Sequence, residues 1–514
     1  MDPYTRLTKS WLDTRHRGAF DPQAPIVYYA HEPIYGIGSP HCEPNHARRI
    51  VRLFQLLRRV RAAGGRTLLD VGGCEGYFAH LARELFGMTV CSVDLAEETV
   101  RRAAEIFAVP GASVDAAALP FADDSFDVVS CAEVVEHLAD PVAAILELQR
   151  VARNTVVLGT EEWHADARQR DEELAARRAS PHGERSVFAD VDLRPLFAPY
   201  ETAIERQVLP DLRQFGDDRA IDRVRLRDLL LALAADQLPQ APRAGIVMTA
   251  RKRAEHIPTP RTPSDRDIAD HLLGDHRPLH VMGAPTPAIP WPAGIVPPCP
   301  RCRAAMQWQA DALHCACGER LRRRNGVLTF LDALPPLSER IDGLLKRRGG
   351  PAYPEQREDL LALARKLELP FTVYREWRFD EPRHVARWHH ADSCQPIGPG
   401  RFRIDGPDPW LQNDTVACSP DEAQVVTVEM AVHLDEPSAH EIAEVRWQVD
   451  GQVGFTADAV AGVVVVPDGR MRTYRFVAPR SVRGEMLLRL KLDPISFGRG
   501  EVHLRTLRID PADR

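Results

Sequence analysis

Residues 67–94, TLLDVGGCEGYFAHLARELFGMTVCSVD, constrain this chain more than any other stretch. Thr67–Val71 is a short apolar run, broken by one acid, Asp70, and followed by glycine. Gly72, Gly73 and Gly76 fall close together and predict a tight turn, because glycine enters left-handed backbone without a steric penalty. Tyr77–Phe86 carries Phe78, Leu81, Leu85 and Phe86 at helical spacing. A second apolar run over residues 89–93 ends at Asp94. Strand, glycine turn, helix, strand, acid is half of a doubly wound α/β sheet.

The glycine spacing selects among the ligands of such sheets. A dinucleotide fingerprint reads Gly-x-Gly-x-x-Gly. Here Gly73 and Cys74 follow Gly72 and the next glycine is Gly76, so the pattern fails. Asp70 would also repel a pyrophosphate. S-adenosylmethionine (SAM) has no phosphate and carries an ammonium and a sulfonium, which an acid at the first strand end suits. The small turn lets backbone approach the amino-acid part of such a ligand. Asp94 is placed to accept from both ribose hydroxyls, as an acid does at the second strand end.

Asp70-Val71-Gly72-Gly73-Cys74-Glu75-Gly76 resembles the first motif of class I SAM-dependent methyltransferases, with Cys74 in the place of the middle glycine. Further segments follow in order. Asp115-Ala116 and then Leu119-Pro120-Phe121 resemble the adenine-side segment, and residues 125–129 the fourth strand. Glu133 through Glu136-His137-Leu138 resembles the segment after it, with a helix over Pro141–Val151 and a strand over 155–159 behind. The resemblance implies methyl transfer from SAM, with cofactor contacts from Asp70, Gly72, Gly73, Cys74, Gly76, Asp94, Leu95, Asp115, Ala116 and Glu133. In-line displacement at the sulfonium methyl needs alignment and a deprotonated acceptor. An oxygen acceptor also needs a general base. His137, beside Glu136 at the methyl end, is the first candidate, and His182 the second.

At 514 residues the chain is too long for one core. Residues 1–66 read as a helical lead-in and cap, with an aromatic-rich stretch over 28–36. The helix over 45–62 has Ile50, Leu53, Leu56, Leu57 and Val60 on one face and arginines on the other, expected to be solvated. The methyltransferase-like domain spans 67–255. Its polar insertion over 160–199 leaves the carboxyl end of the sheet, where His182, Glu184 and Arg185 are polar candidates for holding an acceptor. Residues 256–298 are proline-rich and read as a stiff linker interrupted by a short helix. Residues 299–333 contain Cys299-Pro300-Arg301-Cys302 and then Cys315-Ala316-Cys317. Two close thiolate pairs are what tetrahedral Zn2+ needs. The segment resembles a structural zinc ribbon, with Cys-x-Cys in the second pair and His314 as a possible substitute for Cys315. Residues 334–370 read as a helical spacer. Residues 371–514 alternate as short strands between turns and predict an all-β sandwich. Their Gly406-Pro407-Asp408-Pro409-Trp410 and Leu490-Lys491-Leu492-Asp493-Pro494 segments resemble jelly-roll modules appended to bacterial surface-polysaccharide proteins.

The net charge of −7 disfavours nucleic acid and anionic membrane as partners. No stretch has the length of apolar residues that spans a bilayer. No apolar signal core opens the chain, and the ten cysteines lack an even disulfide framework, so a cytoplasmic location is expected. The fold expected is therefore an α/β Rossmann-like, doubly wound sheet followed by a zinc ribbon and a β-sandwich. The expected reaction is methylation of an oxygen on a small molecule, sugar or glycan-linked intermediate in surface-polysaccharide biosynthesis, with weak carbohydrate binding by the sandwich. Two rivals stay open: an RNA methyltransferase that uses the ribbon's arginines, and a non-catalytic polysaccharide-assembly scaffold.

Overall fold

The structure is a computed structural model of the chain. It describes residues 41–42, 44–160, 163–164, 166–178, 187–198, 200–208, 216–217, 220–237, 243–252, 256–274 and 353–367 without breaks. With short gaps it also describes 291–330, 339–345 and 375–512, plus a few positions before residue 14. The chain divides into two compact units, one built mainly from residues 19–175 and 183–369, the other mainly from 370–514.

The first unit is organised on an eight-stranded sheet. Its elements are α1 (Pro44–Ala63), β1 (Thr67–Val71), α2 (Tyr77–Phe86), β2 (Thr89–Asp94), α3 (Glu97–Phe107), β3 (Gly111–Val114), β4 (Phe126–Ala132), α4 (Pro141–Val151), β5 (Ala152–Thr160), β6 (Glu201–Val208), α5 (Arg223–Ala234), β7 (Arg243–Arg251) and α6 (Asp265–Leu272). They are followed by β8 (Gln307–Gln309), β9 (Ala312–His314), β10 (Arg320–Arg322), β11 (Leu328–Phe330) and α7 (Tyr353–Leu367). The strand order is β11-β3-β2-β1-β4-β5-β7-β6. β1 to β5 run parallel, while β7 is antiparallel to both β5 and β6.

A parallel sheet must be covered on both faces, and its strands read accordingly. Leu68, Val90, Val128, Val157 and Val247 point into one layer with α1, α2, α3, α5 and α6. Leu69, Val93, Val129, Val156 and Met248 point into the other, with α4 and α7. Each such side chain taken fully from water contributes about 1.5–3 kcal/mol.

Three expectations are corrected here. Part of the proline-rich stretch is folded onto the sheet rather than free. Ile268, Ala269, Leu272 and Leu273 are buried in the same layer as α1, and the Gly65 N–H donates to Ile257 O at 2.5 Å. Farther on, Trp291 stacks on Phe121 with centroids 6.3 Å apart. The residues read as a spacer include α7, whose Leu360, Leu361, Ala364 and Leu367 are buried in the sheet's core, so that helix is structural cover. The arginine face of α1 is not simply solvated. Arg58 and Arg61 pair with Asp265 at 3.0 and 2.7 Å, and Arg59 pairs with Glu205. The apolar pattern was readable, but these partners lie far along the chain.

The second unit packs two antiparallel sheets on one core. One orders Cys394–Gly398, Arg401–Pro407, Phe497–Pro511, Gln424–Leu434 and Arg472–Ala478, with Glu376–Arg378 also pairing to Phe497–Pro511. The other orders His389–His390, Leu411–Asn413, Leu487–Asp493, Glu441–Val449 and Val460–Val465. Trp377 and Trp388 meet edge-to-face at 5.5 Å inside. Among the described residues, no helix is long and apolar enough to cross a membrane.

Candidate active site and cysteine cluster

The carboxyl ends of β1, β2, β3 and β4 come together because these strands are parallel neighbours. Asp70, Asp94, Asp115 and Glu133 therefore stand along one rim. Between the first two lies the turn 72–76. Gly72 (φ 73°), Cys74 (φ 50°) and Gly76 (φ 76°) adopt left-handed backbone. The N–H groups of Gly72 and Gly73 donate to Val93 O at 2.8 and 3.2 Å, and Gly76 donates to Gly73 O at 2.8 Å. A Cβ at Gly73 would run into Ser92 Oγ and Asp70 Oδ2, so glycine is required there for space as well. Cys74, a residue with a Cβ, adopts left-handed backbone, which costs strain. Its N–H compensates by donating to Asp94 Oδ2 at 3.0 Å, and its thiol donates to Glu75 Oε2 at 2.8 Å. Burial and the charges of Glu75 and Asp94 hold that thiol far above its ordinary value, so Cys74 stays protonated.

Asp94 ties two turns together: Oδ1 accepts the Ala96 N–H at 3.0 Å while Oδ2 holds Cys74. Leu95 is fixed from the next strand, where Ser113 Oγ donates to its carbonyl at 2.7 Å. Asp115 accepts the Ala117 N–H at 2.8 Å, which closes the turn carrying Ala116. Glu133 has φ 57°, and its carboxylate is held by Gln207 Nε2 at 2.7 Å and faces Arg52 at 3.8 Å.

Asp70 is buried, and the Ser130 hydroxyl donates to its Oδ1 at 2.9 Å. Its Oδ2, and the nearby Ser92 Oγ, have no hydrogen-bond partner among the described residues. Burial pushes the Asp70 carboxyl up to about 7. The Ser130 hydrogen bond opposes the rise, and the charge of Asp94 adds to it. Ser92 and Ser130 escaped the sequence reading. The signal was there: aligning the three apolar runs at Asp70 puts both serines beside it, in the register Asp70↔Ser92 and Asp70↔Ser130.

His137 closes a short 3-10 turn, Val135–His137, after β4, with its N–H donating to Val134 O at 2.9 Å. His182, Glu184 and Arg185 lie outside the described residues, as does the aromatic stretch 28–36.

The cysteines form a second site. The sulfurs of Cys299, Cys302, Cys315 and Cys317 all lie within 4.8 Å of one another. Cys299 and Cys317 approach to 3.6 Å, and Cys302 and Cys315 to 3.4 Å. The Cys299 N–H donates to Ala304 O at 2.8 Å and the Gly318 N–H to Cys315 O at 3.0 Å, which shapes the two tight loops that present the thiols. His314 sits within β9, pairing with Gln307 and Arg320, and the four-sulfur cluster does not include it.

Residues 69–158 match a methyltransferase domain family. That interval runs from β1 to β5 and contains the whole glycine turn. An uncharacterized methyltransferase of Mycobacterium marinum is 41% identical over 101 residues, covering 19% of this chain and 39% of that protein. A ubiquinone biosynthesis O-methyltransferase of Xanthomonas euvesicatoria pv. vesicatoria is 37% identical over 109 residues, covering 20% of this chain and 45% of that protein. The chain thus spans less than half the length of these relatives. A solved geranyl diphosphate C-methyltransferase from Streptomyces coelicolor is similar at 15% identity with a TM-score of 0.34, covering 49% of this chain and 99% of that one. Outside residues 69–158 the methyltransferase family match does not extend.

Proposed function

We propose that the chain is a SAM-dependent methyltransferase that acts on an oxygen of a sugar or glycan-linked acceptor. One observation carries the cofactor: Asp70 and Asp94 flank a left-handed glycine turn at the carboxyl ends of adjacent parallel strands, with Asp70 Oδ2 buried and without a hydrogen-bond partner among the described residues. An ammonium and two ribose hydroxyls match that set, and a pyrophosphate does not. When bound, SAM supplies the methyl group. The chain's own part is to orient it. Asp94 would accept from the ribose, the Asp115–Ala116 turn would border the adenine, and the backbone of residues 72–76 would approach the amino-acid end. His137 is the residue we assign as general base. Its replacement by alanine should lower turnover while calorimetry finds cofactor affinity unchanged.

The glycan acceptor is supported from the second unit. The outer side of one sheet aligns Gln412, Lys491 and Arg446 across three strands, with Lys491 Nζ 5.7 Å from the centroid of the Trp410 ring. A half-buried aromatic beside a polar row is suited to a saccharide. The RNA rival draws on the ribbon, where Trp308 is the one aromatic between the two cysteine pairs, so base stacking has a single platform there. The test is a methyl-transfer screen of the full chain against sugar nucleotides, glycans and structured RNA. Transfer to saccharide is expected. Transfer to RNA alone would reject the glycan reading.

The four cysteines are assigned to one structural zinc ion. Its Zn–S bonds of about 2.3 Å set tetrahedral sulfur–sulfur edges of roughly 3.8 Å, close to the Cys302–Cys315 and Cys299–Cys317 separations of 3.4 and 3.6 Å. Four protein ligands leave no position for substrate.

Asp70 adds a pH dependence with a definite sign. Its carboxyl is raised from 3.8 to about 7. The contribution it makes to the stability of the free protein is therefore fully present below 3.8 and is lost as pH rises through about 7. A ligand bearing an ammonium favours the ionised form, so binding should strengthen over that window. Calorimetry with S-adenosylhomocysteine should find up to about tenfold tighter binding at pH 8 than at pH 6, one pKa unit being tenfold. Asp70→Asn should abolish the difference. Equal affinities in the parent protein would refute this role for Asp70.

A further inference from the structure

We propose that the zinc ribbon is a clamp on the cofactor pocket: metal at Cys299, Cys302, Cys315 and Cys317 holds β11 against the edge of the methyltransferase sheet and thereby sets cofactor affinity. This rests on the zinc and SAM assignments above.

β11 is the outermost strand on that side and is only three residues long. It pairs in parallel with β3 through Leu328↔Ala112, Thr329↔Ser113 and Phe330↔Val114. So short a strand has little stability of its own and depends on whatever anchors its ends. On one side that anchor is the ribbon. Cys299, Met306, Leu313 and Cys315 are buried in the same core as Val114, Ala116, Leu119 and Phe121. The ribbon is therefore no independent module beside the sheet. Its three strands are joined by only three residue pairs at each of two seams, and metal binding supplies the folding free energy of such a domain.

The other end of the chain of contacts is the pocket. β3, the strand that β11 covers, runs directly into Asp115 and Ala116. Its Ser113, opposite Thr329, is the residue whose hydroxyl fixes Leu95 O beside Asp94. Removing β11 bares β3 as a sheet edge and uncovers Leu328 and Phe330, and both rims of the adenosine site lose support. Because linkage is reciprocal, cofactor must tighten zinc by the factor by which zinc tightens cofactor.

The experiment uses the full chain. Elemental analysis first counts zinc, and calorimetry measures S-adenosylhomocysteine affinity before chelation, after it, and after zinc is restored. An about tenfold loss on chelation that zinc reverses is expected, within the ordinary range of coupling between sites. Saturating S-adenosylhomocysteine should raise the zinc affinity, read by chelator competition, by the same factor. The double variant Leu328→Ala with Phe330→Ala should keep its zinc, bind cofactor more weakly, and lose little more on chelation. Zinc present with affinity indifferent to chelation would overturn the clamp and leave the zinc assignment standing. Absence of zinc from freshly purified protein would overturn both, and absence of S-adenosylhomocysteine binding in every state would overturn the clamp together with the cofactor assignment.

Discussion

Asp94→Ala should weaken S-adenosylhomocysteine binding by roughly ten- to a hundredfold, with zinc content and the far-ultraviolet spectrum unchanged. Hydrogen bonds to a charged group contribute about 1.5–3 kcal/mol each. Asp94 accepts from the N–H groups of Cys74 and Ala96, and the ligand's ribose would add more. Asp94 is half-buried, so water replaces part of what the protein loses. The ligand's hydroxyls, once enclosed, have less access to water, and the loss appears in affinity more than in stability. Asp94→Asn gives a graded check. An amide can keep one acceptor oxygen toward Ala96 but turns a donor toward the Cys74 N–H, so its affinity should lie between those of the parent and the alanine variant. Calorimetry on the three proteins decides it. An alanine variant that binds as tightly as the parent would remove Asp94 from the cofactor site.

The first unit shows what a single sequence can and cannot reveal. α2 and α4 have the predicted bounds, because their signals are local: a glycine before Tyr77, a proline at Pro141, apolar residues at helical spacing. The rim of acids was legible for the same reason, since each follows an apolar run. β11 was not. Gly326 to Leu331 reads as a trailing piece of the ribbon, and nothing in its composition says that it will pair with a strand formed far earlier in the chain. The arginines of α1 have the same history. Their spacing shows a polar face, but only folding brings Asp265 to Arg58 and Arg61. The polar partners of Asp70 fall between these cases: Ser92 and Ser130 are visible only once the strands are set in register.

Arg150→Met should cost about 3–5 kcal/mol, because it breaks a buried ion pair. Arg150 is buried near the C-terminus of α4. Its Nε and Nη2 donate to the two oxygens of Glu147 at 2.6 and 2.7 Å. Nη2 also reaches Leu119 O at 2.9 Å, and Nη1 reaches Phe121 O at 2.7 Å and Asp123 at 2.8 Å. Glu147 returns a bond by accepting the Leu119 N–H at 2.8 Å. The pair thus fastens residues 119–123 to α4. Its partners hold the guanidinium's pKa above even its usual high value, against the burial that would lower it. Methionine fills the space and leaves Glu147 as an uncompensated buried carboxylate, which is the costly half of breaking such a pair. In a calorimetric scan of the full chain, the transition that S-adenosylhomocysteine raises identifies this unit, because only a state that binds ligand is stabilised by it. That transition should fall in the variant while the other unit's stays put. Adding Glu147→Met should recover a large part of the loss by removing the stranded charge. A double variant no more stable than Arg150→Met alone would mean that Arg150 acts through the carbonyls of Leu119 and Phe121 rather than through Glu147.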